Sequence, residues 1–479
     1  YEFVIMIINN INHDYAYNVE KICFMFFPLE KLNKQNSDNI VITTEKRDNI
    51  LTVDIKAYSK SINKSADITE VNDVKKELSL LLFDALRELT GFTPPWGILY
   101  GVRPARLLHA KTEKLGLEGA KADFLSNRVS PEKLNLALNV MESENKIISL
   151  SRPDSFSLYI SIPFCPTRCS YCSFVSHSIA GARELIAPYV ERLYREIAET
   201  GRIAKELNLN LETIYFGGGT PTTLSAEQLD MLLTAVEDNF DLSHLREYTV
   251  ESGRPDTITE EKLNTLLSHN VGRISINPQT FDDDVRRKNG RLHTTEQTIE
   301  SYKLARSLGF DNINMDFIAG LNGDTAESFA YSIDVAVDLG VESVTVHNLA
   351  LKSASYLVTE NEFFDLSERK AVADMVDYSC KKLYASGYMP YYMYRQSKSL
   401  GNLENVGWAK SGYECLYNVF MMDETHTVLA AGAGAVTKLK NQITGHIDRI
   451  YNYKYPYEYI NNFDNVLLRK QGIIDFYNS

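Results

Sequence analysis

The sequence predicts an α/β protein: an open, partial (β/α)6 barrel with a small N-terminal α+β domain and a C-terminal extension. Three observations carry this prediction. Between residues 156 and about 350, short apolar runs alternate with segments of helical period, as parallel strands with right-handed crossovers do. The units number six, too few to close an eight-fold barrel. Polar residues follow nearly every run, where parallel α/β sheets bind ligands, at the strands' carboxyl ends. The expected divisions are a β-rich domain at 1–70, a helical segment and linker at 71–155, the barrel at 156–390, and an extension covering the active site at 391–479.

The chain has 479 residues, 44% hydrophobic and 24% charged, an ordinary globular composition. A net charge of −13 argues against nucleic acid, which needs a basic face, and requires a local basic pocket for any anionic substrate. Six cysteines in so long a chain are no secreted disulfide framework and suit a reducing cytoplasm. No apolar run approaches the ~20 residues of a membrane span, so no membrane partner is expected. The apolar start, Tyr1 to Ile8, is followed at once by Asn9, Asn10, Asn12 and Asp14, and is not expected to be a signal peptide.

Four runs in the first 65 residues, Phe3–Ile8, Ile22–Phe27, Val41–Thr44 and Leu51–Ala57, are rich in β-branched and aromatic residues and are expected as strands. Cys23 falls in the second and is read as core. Arg47-Asp-Asn49 suits a hairpin turn. From Val71 to Thr90 the residues Val74, Leu78, Leu81, Leu82, Leu86 and Leu89 form one helical face. After a Gly/Pro-punctuated stretch, Pro104 suits the first turn of another helix. Arg103 and Arg106 flank that start, as a solvated face or as a bidentate carboxylate clamp. Further helices are expected over 107–150, then a linker at Ser151–Ser155.

The barrel strands are expected at Leu158–Ile162, Thr213–Phe216, Glu247–Val250, Gly272–Ile276, Asn312–Phe317 and Ser343–His347. Helical patterns lie between most of them, with Ser225 and Gln228, and Thr259 and its acidic run, reading as N-caps. The first strand leads into Cys165-Pro-Thr-Arg-Cys169-Ser-Tyr-Cys172. The second leads into Gly217-Gly-Gly-Thr-Pro221, whose glycines permit close backbone approach to a ligand but lack the dinucleotide-binding spacing. Glu251 ends the third, Asn277-Pro-Gln279 and Arg291 follow the fourth, Asp316 lies on the fifth, and His347 and Asn348 follow the sixth.

Three thiols spaced Cys-x3-Cys-x2-Cys could pack in a core, bind zinc or form disulfides. Zinc lacks a fourth ligand at usable spacing, and disulfides are disfavoured by the odd number and tight spacing. The favoured reading is a [4Fe–4S] cluster held by Cys165, Cys169 and Cys172, with one iron open to S-adenosylmethionine (SAM). One electron would split SAM and release a 5′-deoxyadenosyl radical, chemistry that belongs to the cofactor.

Further on, 360–386 reads as a helix with Cys380 in core. Gly387 to Tyr394 is dense in aromatics, which suit a core or a flat apolar wall for a ligand equally. Thr427 to Gly434 is a strand running into a tight glycine turn, Cys415 is structural, and the tail from Arg449 to Tyr457 is expected over the barrel mouth.

These motifs resemble the radical SAM family of oxygen-independent coproporphyrinogen III oxidases over roughly 155–350. The Tyr-Ile-Ser-Ile-Pro-Phe-Cys start, Gly-Gly-Gly-Thr-Pro, Glu251, the Arg-Ile-Ser…Gln279 stretch and Asn-Met-Asp316-Phe-Ile-Ala-Gly-Leu carry the match. Asn277-Pro-Gln-Thr, Tyr391-Tyr-Met-Tyr-Arg-Gln396, Glu404-Asn-Val-Gly407 and the Pro-Pro-Trp-Gly…Gly-Val-Arg-Pro segment resemble a coproporphyrinogen dehydrogenase subgroup with its own N-terminal domain. The resemblance implies SAM contacts from Gly218, Gly219, Thr220, Glu251, Gln279, Arg291, Asp316 and Ile318, with Tyr159 and Tyr171 packed beside cluster and cofactor. One feature departs from the oxidases: Ser173-Phe174 follows Cys172 where they resemble Cys-Gly-Cys, an ending more similar to the heme-chaperone and methyltransferase branches.

The expected activity is oxidative decarboxylation of two coproporphyrinogen III propionates to vinyls, giving protoporphyrinogen IX in anaerobic heme biosynthesis. The alternatives are a radical SAM methyltransferase or tetrapyrrole-cleaving enzyme, and a heme-binding chaperone that keeps the cluster. A low-potential donor such as a flavodoxin or ferredoxin is the expected partner. Arg103, Arg106, Arg168, Arg254 and Arg395 are candidate propionate contacts, Arg103 and Arg395 foremost.

Overall fold

The computed structural model describes residues 5–27, 31–32, 40–57, 59–172, 176–350, 366–396 and 399–479. The chain forms two compact units, Tyr1–Met141 with Tyr394–Glu404, and Glu142–Met393 with Asn405–Ser479.

The second unit contains the expected strands: β1 Ser155–Ile162, β2 Asn210–Gly218, β3 Glu247–Glu251, β4 Arg273–Ser275, β5 Ile313–Ala319 and β6 Ser343–Asn348. Each pairs in parallel with the next, in sequence order. The barrel stays open because other strands occupy both edges. Thr427–Ala431 lies parallel to β1, and Glu404–Ala409 antiparallel to β6. The strands are buried on both faces, as parallel sheets require. In β1, Phe156, Leu158, Ile160 and Ile162 alternate with Ser155, Ser157 and Ser161, all buried. The serines keep polar partners, Ser157 sharing hydrogen bonds with Thr213 and His426.

The crossover helices begin at capping residues. Ser225 with Gln228 forms a capping box, as do Thr294 with Gln297 and Thr325 with Ser328, while Thr259 accepts from the Lys262 amide. Such caps contribute about 1 kcal/mol each. Leu366–Ala385 supplies the helix after β6, and the expected residues before 366 lie outside those described. Met389–Arg395 is a strand with Tyr391, Tyr392 and Met393 buried, which favours the core reading of the aromatic run. Thr427–Ala431 ends as expected in a glycine turn, with Gly432 and Gly434 at φ +100° and +73°.

The first unit has a five-stranded sheet of Lys31–Leu32, Ile5–Ile11, Ile40–Arg47, Ile50–Ala57 and Lys60–Asp67, in that order. One expectation is corrected. Ile22–Phe27 is no strand, because Ala16–Phe26 is a helix burying Val19, Ile22, Cys23 and Phe26. That 3.6-residue spacing outweighs the residues' β propensity. Cys23 is core all the same. Val74–Thr90 packs into the same core and ends at Gly91 with φ +69°. Pro104–Ser126, with Pro104 in its first turn, is the unit's other long helix, and Pro131–Ile148 begins in it and ends in the second unit.

Candidate active site

β1 delivers the cysteine loop, and backbone bonds fix the loop's base. Phe164–Cys165 pairs with His177–Ser178, closing the loop's two ends on each other. The glycine turn after β2 packs beneath it: Gly219 donates to Ile162 O (2.7 Å) and Thr220 to Phe164 O (2.8 Å). A Cβ on Gly219 would lie 2.5 Å from Phe164 O, so glycine is required here by chain meeting chain. The Thr220 hydroxyl donates to Cys165 Sγ at 3.6 Å. Burial pushes the Cys165 thiol's pKa up, and the Thr220 bond opposes that shift.

The far side of the loop rests on residues 289–291. Ser170 N donates to Asn289 O (3.2 Å) and Thr167 Oγ1 to Gly290 O (2.9 Å). Gly290 has φ +81°, and a Cβ there would stand 3.1 Å from Arg168 O. Arg291, buried, donates to Tyr171 Oη (3.2 Å), Gly253 O (2.9 Å) and Asn277 O (2.7 Å).

Two carboxylates stand at neighbouring positions in the barrel. Glu251, at the end of β3, accepts from Tyr215 Oη at 2.6 Å. Burial raises its pKa to about 7; the Tyr215 bond opposes this and Asp316 adds to it. Asp316 on β5 goes the other way. Burial opposes its charge, yet His347, Asn314 and Thr345 together hold its pKa below the usual carboxylate value. Gln279 is fixed by β5 on both sides, donating to Asp316 O (3.0 Å) and accepting from Ile318 N (3.1 Å). Its backbone is left-handed (φ +67°) and its buried Oε1 has no hydrogen-bond partner. A strained residue presenting an unsatisfied buried acceptor is what a ligand site stores.

Tyr159 stacks on Tyr215 and on Tyr417 with centroids 6.3 and 6.1 Å away, and Tyr215 on Tyr417 at 4.5 Å. Burial raises the pKa of all three phenols. Tyr417 sits in the first turn of Leu416–Asp423, and Glu247 at the start of β3 accepts from Leu416 N (2.6 Å) and Cys415 Sγ (3.2 Å) at that helix's N-terminus. Sequence reasoning missed Tyr215, Glu247 and Tyr417 as parts of this site. Alternation along β2 points Tyr215 to the face of Thr213, but nothing local ties residue 417 to the barrel.

Of the five arginines, Arg168 lies on the cysteine loop, where burial first and then the Arg168 charge lower the pKa of His177. Arg103 and Arg106 belong to the first unit, at the start of Pro104–Ser126. Arg395, expected at a propionate, is instead buried in the first unit. It donates to Leu99 O (2.6 Å) and Asn402 O (3.2 Å) and lies 5.5 Å over the Trp96 ring. Arg254, also expected there, is buried and paired with Asp256. Ser173 and Phe174 lie outside the described residues.

Among the described residues, no three Cys, His, Asp or Glu side chains converge as a ready metal cage. The donor chemistry nevertheless fits an iron–sulfur cluster. Three cysteines, none in a disulfide, share one loop closed at its base and faced by buried Arg254 and Arg291.

Comparison with known proteins agrees with this geometry. The radical SAM superfamily pattern matches residues 159–336. The oxygen-independent coproporphyrinogen-III oxidase-like protein HemZ of Bacillus subtilis is 40% identical over 409 residues, 84% of this chain and 82% of its own. The heme chaperone HemW of the same organism is 33% identical over 313 residues, 63% of this chain and 77% of its own. The structure of coproporphyrinogen III oxidase (HemN) from Escherichia coli superposes with a TM-score of 0.52 at 21% identity, covering 67% of this chain and 72% of that one, a likeness of fold. The cofactors are therefore a [4Fe–4S] cluster and SAM. A relative matched at 40% identity over four-fifths of its length places the family: this chain belongs to the radical SAM family of oxygen-independent coproporphyrinogen III oxidases and their relatives.

Proposed function

We propose that the protein decarboxylates two propionates of coproporphyrinogen III to vinyls, giving protoporphyrinogen IX in heme biosynthesis. The observation that carries this reading is the 40% identity to HemZ over 84% of this chain. Cys165, Cys169 and Cys172 hold the cluster. Gly218, Gly219, Thr220, Glu251, Gln279, Arg291, Asp316 and Ile318 hold SAM, beside Tyr159 and Tyr171. When bound, these cofactors supply the one-electron chemistry that removes a hydrogen atom from the propionate β-carbon. The chain's part is to bring that carbon within about 3–3.5 Å of the reacting carbon and to exclude water. Carboxylates suit the cationic end of SAM, and Gln279 Oε1 offers it a buried acceptor. Arg168 contacts a propionate; for Arg103 and Arg106 the same role rests on the sequence alone. Residues 391–479 complete the site as an extension of the barrel. A flavodoxin or ferredoxin delivers the electron in the cytoplasm. Among the described residues no helix is long and apolar enough to cross a membrane.

One observation favours a second reading, heme chaperoning: several HemW proteins are 27–33% identical to this chain. Anaerobic turnover of reconstituted protein with SAM, reductant and coproporphyrinogen III separates the two. Formation of the divinyl product is expected. Tight heme binding with SAM cleavage but no decarboxylated product would replace the first reading with the second.

A further inference from the structure

We propose that Arg254 is a positioning residue for the cysteine loop, tying Thr167 to Asp256 and holding a positive charge beside Cys165. The inference rests on the reading that this loop holds the cluster.

Each spacer between the cysteines is gripped by one buried arginine. In the first spacer, Arg254 Nη1 donates to Thr167 Oγ1 at 3.2 Å and Thr167 O at 3.4 Å. In the second, Arg291 reaches Tyr171 Oη. Both arginines are anchored on the turn after β3. Arg254 forms a fork on Asp256, Nε and Nη2 each 3.0 Å from a carboxylate oxygen, and Arg291 holds Gly253 O. The Thr167 hydroxyl accepts from Arg254 and donates to Gly290 O, next to Arg291. The result is a closed ring of contacts around the loop, built on charge-assisted bonds from two buried arginines. Arg254 is only 3% exposed and its fork is occupied, so it serves the loop and not a propionate. A buried cation held on the spacer between Cys165 and Cys169 favours the extra negative charge of a reduced cluster.

The test uses anaerobically reconstituted full-length protein without tetrapyrrole, so substrate binding plays no part. T167V removes the anchor and keeps the charge, R254K keeps the charge and loses the fork, and R254M loses both. Iron release to a chelator and the cluster's midpoint potential are read, with the melting temperature of each apoprotein as a check on folding. T167V and R254K are expected to release iron roughly tenfold faster than wild type, a usual consequence of removing an outer partner of a metal ligand. R254M is expected to shift the potential to more negative values as well, and R254K to leave it in place. Wild-type release rates and potential in all three variants would overturn the inference while leaving the site reading intact. A wild-type chain that takes up no iron would overturn both.

Discussion

Glu251 and Asp316 are both carboxylates facing the barrel interior, yet their protonation is driven in opposite directions. Glu251 has one phenol donor and much buried surface, while Asp316 has His347 and Asn314. The folded chain holds the Glu251 proton up to about pH 7, whereas an unfolded chain releases it near 4.5. Stability from this group is therefore full below pH 4.5 and lost as pH rises through 7. Glu251→Gln, which stays neutral and can still accept from Tyr215, should stabilise the apoprotein by about 3 kcal/mol at pH 8 and by almost nothing at pH 4.5, read by urea denaturation. In wild type, SAM affinity should weaken as pH falls below about 7, by up to about tenfold per unit, if the proposed contact of Glu251 with the cationic end of SAM holds, because that carboxylate becomes neutral. A flat affinity profile between pH 6 and 8 would remove Glu251 from that role.

At the scale of elements, the turn after β2 is fixed by what it touches. Gly219→Ala would drive a methyl group into the Phe164 backbone, so the Phe164–Cys165 strand must shift. The expected cost is about 1–3 kcal/mol in apoprotein stability, with impaired cluster uptake, checked by denaturation and by iron content. If Gly219→Ala loads iron normally, the glycine turn is not the support of the loop. Elements were legible where burial dictates the pattern. The parallel strands read as apolar runs, and the caps at Ser225 and Thr259 fell on the expected residues. Ile22–Phe27 was misread because β-branched and aromatic residues also fit a buried helical face. Lys60–Asp67 escaped notice because it is a polar strand, mostly exposed. Within the site, residues at strand ends could be located from the order of the units alone. The Tyr159–Tyr215–Tyr417 stack could not, since it depends on a C-terminal helix reaching a barrel strand more than two hundred residues away.

At the scale of the whole molecule, the C-terminal segment extends one edge of the barrel's sheet and packs on the crossover helix Ile179–Glu206. Lys470 and Glu196, 2% and 0% exposed, pair at 2.9 Å. Glu196 also accepts from Tyr459 Oη (2.6 Å) and Gly432 N (2.8 Å), tying the last helices to the glycine turn beside β1. Lys470→Met strands a buried carboxylate and should destabilise the protein by roughly 3–5 kcal/mol. Adding Glu196→Gln should recover part of that loss, by calorimetry of the apoproteins; an equal or larger loss in the double variant would show the pair is not the source. The central claim is that one loop at the carboxyl end of an open barrel holds a cluster with an iron open to SAM. The most direct measurement is the EPR spectrum of the reduced, reconstituted protein with and without SAM. The account predicts a [4Fe–4S] signal whose shape changes when SAM is added, and which is absent in Cys169→Ala but kept in Cys23→Ala and Cys380→Ala. A signal indifferent to SAM, or full iron loading in Cys169→Ala, would contradict it.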